Sequence, residues 1–239
     1  MTAWLDPLRA ALDEASATFF FRDDDAGWCD DRLRLVLGVF DRHAAPLDLA
    51  VIPCSLRLRL ARELRSRRGT TGLHQHGFAH ANHEREGRKC EFGPSRSEPE
   101  QRRSIERGRY LIEQLLEGPV DPIFTPPWNR CTDATGRALV AAGFRVLSRE
   151  SRAPTLDLDG LDELSVHVDW FAHRRGVRLT AAELGQLLAA ETRSGRLVGV
   201  MLHHAVTDGD DLRRLDELLG VLVRRARLVR MTEIAEVAA

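Results

Sequence analysis

The sequence predicts an α/β fold, a barrel of seven or eight parallel strands with helices between them. Short apolar runs alternate with longer amphipathic runs, and this alternation is typical of strands joined by crossover helices. Eight strand candidates fit into 239 residues, which favours a closed barrel over an open sheet. We find no internal repeat and no domain linker, so we expect residues 1-239 to form a single domain.

The predicted strands are short apolar runs bounded by polar or turn residues. The most distinctive is Thr18–Arg22, because it contains three consecutive phenylalanines. The other strand candidates are Leu47–Ile52, Gly72–His74, Pro122–Thr125, Phe144–Ser148, Leu164–Val168, Leu197–Leu202 and Arg227–Met231.

The amphipathic runs predict the helices. The run from Pro99 to Glu117 has the strongest start signal, because Ser97 and Glu100 match a capping box. Further helices are predicted at Asp31–Arg42, Ser55–Ser66, Asp133–Ala142, Thr180–Thr192 and Asp211–Arg225. The polar segment His83–Arg96 contains glycine and is predicted to be a long surface loop.

Composition excludes several classes of protein. A net charge of −1 gives no general electrostatic case for binding nucleic acid or an anionic membrane. No apolar run approaches the roughly 20 residues of a membrane span, and the N-terminus does not resemble a signal peptide. The four cysteines have no metal-binding spacing. We therefore expect a cytoplasmic protein with free thiols.

Three consecutive aspartates, Asp23-Asp24-Asp25, follow the first predicted strand. Adjacent carboxylates repel one another, and a bound cation or a shared proton would offset that repulsion. Aspartate is also common in solvated turns and at helix N-caps, so the triplet alone leaves both interpretations open.

Polar residues also follow four other predicted strands, and an α/β barrel places its active site at that end of its strands. These segments are His74–His80, Thr125–Asn129, His167–Trp170 and His203-His204. Five such clusters at the same end of the strands are difficult to explain by packing, so we expect a functional site there.

The residue types in these clusters suggest a metal site. His76 and His80 are four residues apart and could share one face of a helical turn, although surface histidines could have the same spacing. Two histidines and one carboxylate from the triplet would bind a zinc-like ion and leave a position open for water. His203, with Asp169 as an orienting carboxylate, would suit acid–base chemistry.

The order of these motifs resembles that of the polysaccharide deacetylases, the nodulation-type carbohydrate esterases with a distorted (β/α) barrel of seven or eight strands. That family has an Asp-Asp motif, a His-x-x-x-His motif, an Arg-x-Pro-Trp/Tyr motif, an Asp-Trp motif and a Leu-x-x-His-like motif, in this order. The matching segments are Asp24-Asp25, His76–His80, Pro127-Trp128, Asp169-Trp170 and Leu202-His203. The resemblance extends over residues 18 to 205.

The resemblance implies a metal-dependent hydrolase that removes an acetyl group from an N-acetylated sugar or glycan. Asp25, His76 and His80 would bind a divalent ion, with Zn²⁺ favoured over Co²⁺ or another metal. Asp24 would be the general base and His203 the general acid, held in its charged state by Asp169. The residues expected to bind the substrate are His74, Pro127, Trp128, Asn129 and Trp170.

One departure from the family pattern and the register of the first motif leave alternatives open. Thr125 stands where the family has an arginine that steadies the base, and either Arg22 or Arg130 could replace it. Asp23-Asp24 could also be the functional pair. The alternative functions are hydrolysis of a non-sugar amide or imide on the same fold, and sugar binding without catalysis. The expected location favours a small or carrier-linked sugar over a cell-wall polymer.

Overall fold

Parallel strands form the barrel in the computed structural model, which describes residues 3-194 and 197-238. The strands are β1 (Thr18–Ala26), β2 (Leu47–Val51), β3 (Thr71–His76), β4 (Ile123–Thr125), β5 (Val146–Glu150), β6 (Asp162–Val166), β7 (Val168–Asp169), β8 (His173–Arg174), β9 (Val177–Arg178), β10 (Leu197–His203) and β11 (Arg227–Leu228). Their order is β6-β5-β4-β3-β2-β1-β10-β7, and β8 and β9 form a separate antiparallel hairpin.

One short segment closes this barrel. His167 alone separates β6 from β7, and these strands pair with β5 and β10 respectively. The fold class predicted from the sequence, a distorted barrel of seven or eight strands, is therefore confirmed.

Helices lie between most of the strands, as the alternation predicts. They are α1 (Asp6–Glu14), α2 (Asp30–Arg42), α3 (Leu58–Ser66), α4 (Glu98–Leu116), α5 (Asp133–Ala141), α6 (Ala181–Arg193), α7 (Gly209–Arg225) and α8 (Met231–Ala238). The capping box of Ser97 and Glu100 is present at the start of α4. Within the described ranges, no helix combines the length and the apolar character that a membrane crossing requires.

Two predicted boundaries are wrong for identifiable reasons. The last strand ends at Leu228, because β11 pairs with β1 only at Thr18 and Phe19 before β2 takes over the pairing from Arg22. The helix expected from Ser55 begins at Leu58, since a turn closed by hydrogen bonds to the Ile52 carbonyl comes first.

The predicted surface loop, His83–Arg96, is buried in its middle. Residues 90-93 are buried, and Glu91 is fully shielded from solvent. Its carboxylate binds backbone N–H groups of a neighbouring loop, which accounts for a charged side chain in this position. The loop therefore supports part of the site described below.

The interior of the barrel changes from apolar to polar along the strands. Side chains two residues apart on a strand share a face, so Phe20, Arg22 and Asp24 of β1 lie at successive levels. The apolar cluster at the lower, N-terminal level includes Phe20, Ile123, Val146, Leu164 and Met231. The buried polar residues above it include Arg22, Asp24, His74, His76, Thr125 and Ser148. The site thus lies at the C-terminal end of the strands, called the upper end below.

Candidate metal centre

Asp25, His76 and His80 converge at the upper end of the barrel. Oδ1 of Asp25 lies 3.2 Å from Nε2 of His76 and 3.2 Å from Nε2 of His80. One ligand atom from each residue lies within 4.8 Å of the other two. This is the two-histidine, one-carboxylate set that the sequence predicts as metal ligands.

The hydrogen bonding of this cluster fits a bound cation. Nδ1 of His76 donates to the carbonyl oxygen of Thr125 at 3.0 Å, so Nε2 is the ring atom that faces the Asp25 carboxylate. Oδ1 of Asp25 is buried and accepts no hydrogen bond in the described part of the chain. This oxygen faces two imidazole nitrogens, and a divalent ion would bind all three atoms.

The pKa values of these residues reflect the same facing arrangement. Burial would raise the pKa of Asp25, but the neighbouring His76, together with His80, lowers it to about 2. Burial works against protonation of His76, yet the Asp25 and Asp24 carboxylates raise the pKa of His76 above its ordinary value. Burial and the neighbouring His76 lower the pKa of His80.

The two histidines come together through a loop and not through the helical turn that their spacing predicts. His76 is the last residue of β3, and the chain then turns at Gly77 with φ +54°. Glu91 accepts hydrogen bonds from the N–H groups of Phe78 and Ala79 at 3.1 and 2.7 Å. This carboxylate therefore holds the turn that brings His80 back towards His76.

Asp24 is paired with an arginine from its own strand. Nε and Nη2 of Arg22 donate to the two carboxylate oxygens at 2.8 and 2.9 Å, and neither side chain is more than 2% exposed. Burial would raise the pKa of Asp24, but Arg22, His76 and His203 outweigh it and hold the pKa below its ordinary value. Of the two arginines considered in place of Thr125, Arg22 is thus the one that pairs with Asp24, whereas Arg130 donates to the carbonyl of Lys89 in the loop.

Asp23, the remaining aspartate of the triplet, forms a buried pair with His204. Nδ1 of His204 lies 2.8 Å from Oδ1 of Asp23, and both side chains are 0% exposed. Burial opposes the charge, but Asp23 and the Trp28 carbonyl raise the pKa of His204 to about 9. Each aspartate of the triplet thus has its own partners, and Asp25 is the one that lies beside both His76 and His80.

His203 lies beside Asp24 and not beside Asp169. Its Nε2 is 4.0 Å from Oδ2 of Asp24, and its side chain is 29% exposed. Asp169 accepts a hydrogen bond from the N–H of Phe171, and no ion pair joins it to His203 in residues 3-194 and 197-238. The acid role of His203 and the orienting role of Asp169 stay predictions, and the observed distances favour the first.

Most residues expected to bind the substrate are buried beneath the site. His74 is 0% exposed and bonds to Thr125, and burial and Arg22 lower its pKa to about 3. Pro127 is buried, and Trp170 is 3% exposed and packs edge-on against Trp4. Their burial argues against direct contact with a substrate, so their substrate-binding role stays a prediction.

The two other predicted substrate-binding residues lie nearer the opening. Asn129 accepts a hydrogen bond from Arg22 at 2.9 Å, so it helps to position that guanidinium. Trp128 is half-buried, and its ring centroid is 4.5 Å from that of His80. Trp28 approaches the same histidine from another direction, with its ring centroid 4.8 Å away.

Backbone strain is concentrated around the centre. Asp25, His80, Trp128 and Asn129 all have positive φ, between 55° and 71°, which is uncommon for residues other than glycine. Such conformations persist where surrounding contacts impose them, and they are frequent at functional sites.

Sequence reasoning missed three residues that support the centre: Glu91, Trp28 and His204. Only His204 had a signal, since it follows His203 at a strand end. Glu91 and Trp28 belong to loops, whose conformation leaves no periodic pattern.

Comparisons with known proteins agree with this architecture. No protein-family profile and no curated protein matches the sequence. A Mycobacterium smegmatis structure assigned to the polysaccharide deacetylases matches with a TM-score of 0.70 and 18% identity, covering 93% of this chain and 90% of the other. The family 4 acetyl xylan esterase of Clostridium thermocellum, solved with a cobalt ion, matches with a TM-score of 0.58 and 13% identity over 92% and 91%.

A third similar structure is not that of an active enzyme. It is a pseudoenzyme of the same carbohydrate esterase family from Bacillus anthracis, with a TM-score of 0.60 and 13% identity over 92% of this chain and 66% of the other. At such identities the comparisons establish the fold. The chain has the fold of the family 4 polysaccharide deacetylases, and the predicted resemblance is confirmed at that level.

Proposed function

We propose that the protein is a divergent polysaccharide deacetylase, a metal-dependent hydrolase that removes the acetyl group from an N-acetylated sugar or glycan. The observation that carries the proposal is the convergence of Asp25, His76 and His80, with the ionised carboxylate of Asp24 beside them. Their order along the chain and their place at the upper end match the motifs of the family whose fold the chain has.

Asp25, His76 and His80 would hold the metal ion. A divalent ion there supplies a Lewis acid, which makes a water molecule more acidic and polarises an amide carbonyl. Nitrogen and oxygen ligands in this ratio suit Zn²⁺, and one similar structure was solved with cobalt.

Asp24 acts as the general base in this proposal. Because Arg22 keeps its carboxylate ionised and fixed, Asp24 is ready to take a proton from the attacking water. His203, which is partly exposed on the open side of the site, donates a proton to the leaving amine. The backbone N–H of Trp128 donates to no group in the described part of the chain, so it is available to the developing oxyanion.

The paired Arg22 bears on the alternative of an inactive sugar-binding protein. That alternative was favoured by Thr125, since a base without a cation would be poorly held. Arg22 supplies a cation beside Asp24 from β1, and this pairing supports the proposal of an active enzyme. Hydrolysis of a non-sugar amide or imide would use the same groups, so only the identity of the substrate distinguishes it from deacetylation.

Metal content and acetate release test the proposal together. We expect the purified protein to bind one divalent ion and to release acetate from one or more N-acetylated sugars, but not from a matched panel of linear and cyclic amides. Asp24→Asn should retain the metal and lose activity by about a hundredfold or more.

Matched variants test the ligand assignment. Asp25→Ala and His76→Ala should lose the metal, whereas the control His173→Ala, at an exposed position, should keep it. Unchanged metal content in both ligand variants would refute the assignment. Turnover restricted to non-sugar amides would replace the proposed substrate with the alternative one.

A further inference from the structure

A groove opens beside the metal centre, on the side of Trp28. It has a volume of about 730 Å³ and lies between the turn that follows β1 and the start of α3. None of the five family-type motifs contributes to its lining, so the proposed deacetylation leaves it without a role. Because it adjoins a metal ligand through Trp28, a substrate bound at the centre could extend into it.

Trp28 connects the groove with the centre. Its ring packs 4.8 Å from the ring of His80, and 37% of the residue is exposed. Nε1 of Trp28 donates to Oγ of Ser55 at 3.1 Å, and its carbonyl accepts a hydrogen bond from His204 at 2.7 Å. The ring is therefore held in place while part of its surface stays open to a ligand.

Close packing brings this turn against the segment before α3. Gly27 has φ +115°, and a Cβ there would lie 3.1 Å from the backbone carbon of Ser55 and 3.2 Å from the nitrogen of Leu56. Only a glycine fits this approach without strain. As a consequence Trp28 and Arg57 line the same groove.

The groove carries positive charge that the protein does not neutralise. Arg57 and Arg59 are exposed and line it, and neither forms an ion pair with any residue in the described ranges. Arg32 donates to the carbonyls of Ala205 and Thr207, which leaves its charge uncompensated. Asp30 is the opposing charge.

The other two charged residues of the lining, Asp31 and Arg34, form an ion pair. Asp31 lies 2.7 Å from Arg34, which also pairs with Glu63 at 2.9 Å. With Glu63 included, four arginines face three carboxylates, so the groove keeps a net positive charge, although the whole chain has a net charge of −1.

We propose that this groove binds an anionic group, a phosphate or a carboxylate, carried by the substrate. Arg57 and Arg59 contact the anion, and the exposed surface of Trp28 packs against the sugar that carries it. Guanidinium groups match the geometry of phosphate and carboxylate oxygens. The inference rests on the proposed deacetylation and narrows its substrate to an acidic N-acetylated sugar.

Calorimetric binding to the metal-loaded Asp24→Asn variant tests this inference without turnover. The probes are neutral N-acetylglucosamine, its 1-phosphate and 6-phosphate, and N-acetylmuramic acid, which carries a carboxylate. We expect at least one acidic sugar to bind about tenfold or more tightly than the neutral one, and the arms identify which anion is preferred.

Arginine variants in the same background locate the effect. Arg57→Ala with Arg59→Ala should abolish the preference for the acidic sugar, and Arg62→Ala, an exposed arginine of α3 outside the groove, should retain it. Equal affinity for neutral and acidic sugars, or a preference that survives loss of both arginines, would overturn the inference. If the wild-type protein released acetate from the neutral sugar in either case, the anion-binding inference would fail but the proposed function would stand. The two failures are therefore distinguishable.

Discussion

Two clusters of buried aspartates lie at opposite ends of the barrel strands, and the protein treats them in opposite ways. Asp23, Asp24 and Asp25 lie at the upper end of β1. Asp48 is the second residue of β2, and Asp121 lies just before β4, so this pair belongs to the lower end. Both clusters bring together carboxylates that are largely shielded from water.

Each carboxylate of the upper cluster lies beside an arginine or histidine side chain. Arg22 pairs with Asp24, His204 with Asp23, and the metal-centre histidines with Asp25. The pKa of Asp24 is lowered and that of Asp25 falls to about 2 despite burial, so both carboxylates are ionised at neutral pH.

The lower cluster forms no ion pair in the part of the chain that the structure describes. Burial raises the pKa of Asp48 to about 8, and the neighbouring Asp121 adds to the effect. Asp48 accepts a hydrogen bond from the N–H of Met231 at 3.0 Å and forms no ion pair within the described chain. Asp48 and Asp24 are both buried, so the lack of an ion-pair partner for Asp48 among the described residues accounts for the difference between their pKa values. At neutral pH, Asp24 and Asp25 are therefore ionised at the upper end, where catalysis is proposed. Asp48 is protonated at the lower end, where the strands begin.

Replacing Arg22 should have the largest effect. Arg22→Met leaves Asp24 buried without a cation, so we expect about 3–5 kcal/mol of destabilisation and the loss of at least about 99% of activity. The pKa of Asp24 should rise, which would move the acidic limb of the pH–rate profile to higher pH. Urea denaturation and acetate release measure both effects.

Arg130 provides the control for this variant, since it was the other candidate for steadying the base. Arg130→Met should leave the pH–rate profile unchanged. Adding Thr125→Arg to Arg22→Met should recover part of the activity, because it restores an arginine at the position where the family has one. A normal profile for Arg22→Met would show that the pairing does not matter to the base.

Breaking the Asp23–His204 pair should be the next largest effect. His204→Phe leaves a buried carboxylate unpaired, at a cost of about 3 kcal/mol. The pKa of His204 is raised to about 9, so its contribution is complete below its ordinary value of 6.5 and is lost as pH rises through about 9. The free energy of unfolding of His204→Phe should therefore lie well below that of the wild type at pH 6 and only slightly below it at pH 10.

The His43–Asp216 pair serves as the comparison, because Asp216 is 41% exposed. His43→Phe should cost less than about 1 kcal/mol at both pH values. An equal deficit for His204→Phe at pH 6 and pH 10 would contradict a charged His204.

At the lower end, Asp48→Asn should change the pH dependence of stability. A carboxyl with a raised pKa stabilises the fold fully below its ordinary value of 3.8 and loses that contribution as pH rises through about 8. Relative to Asp48→Asn, the wild type should lose about 1.4 kcal/mol per pH unit between these values and then level off. Chemical denaturation at pH 5, 6, 7 and 8 measures the slope, and parallel curves would refute a neutral Asp48.

The smallest effect is expected from Glu91, a buried carboxylate that holds the His80 loop. Glu91→Gln keeps one acceptor but places an amide N–H₂ against the other backbone donor, so metal affinity should fall roughly tenfold. Competition with a chelator measures it. Glu84→Gln, in the same loop, should leave the affinity unchanged, and an equal loss in both variants would point to a general loosening of the loop.

The sequence predicted the barrel because alternating strand and helix patterns are local. The terminal helices α1 and α8 were missed, since they lie outside that alternation. At the site, Asp25, His76 and His80 could be predicted from the order of the motifs. Glu91, whose carboxylate holds the turn between the two histidines, could not. The raised pKa of Asp48 could not be predicted from the sequence either, because it depends in part on Asp121 and Met231, which are distant in the chain.

The most direct test of the metal centre is a crystal structure of the Zn²⁺-loaded protein with anomalous data at the zinc edge. We expect one strong peak in the upper cluster, about 2.0–2.2 Å from Nε2 of His76, Nε2 of His80 and an oxygen of Asp25. We expect no peak beside Asp48. The absence of an upper peak, or a peak bound by Asp23 or Asp24 in place of Asp25, would contradict the account.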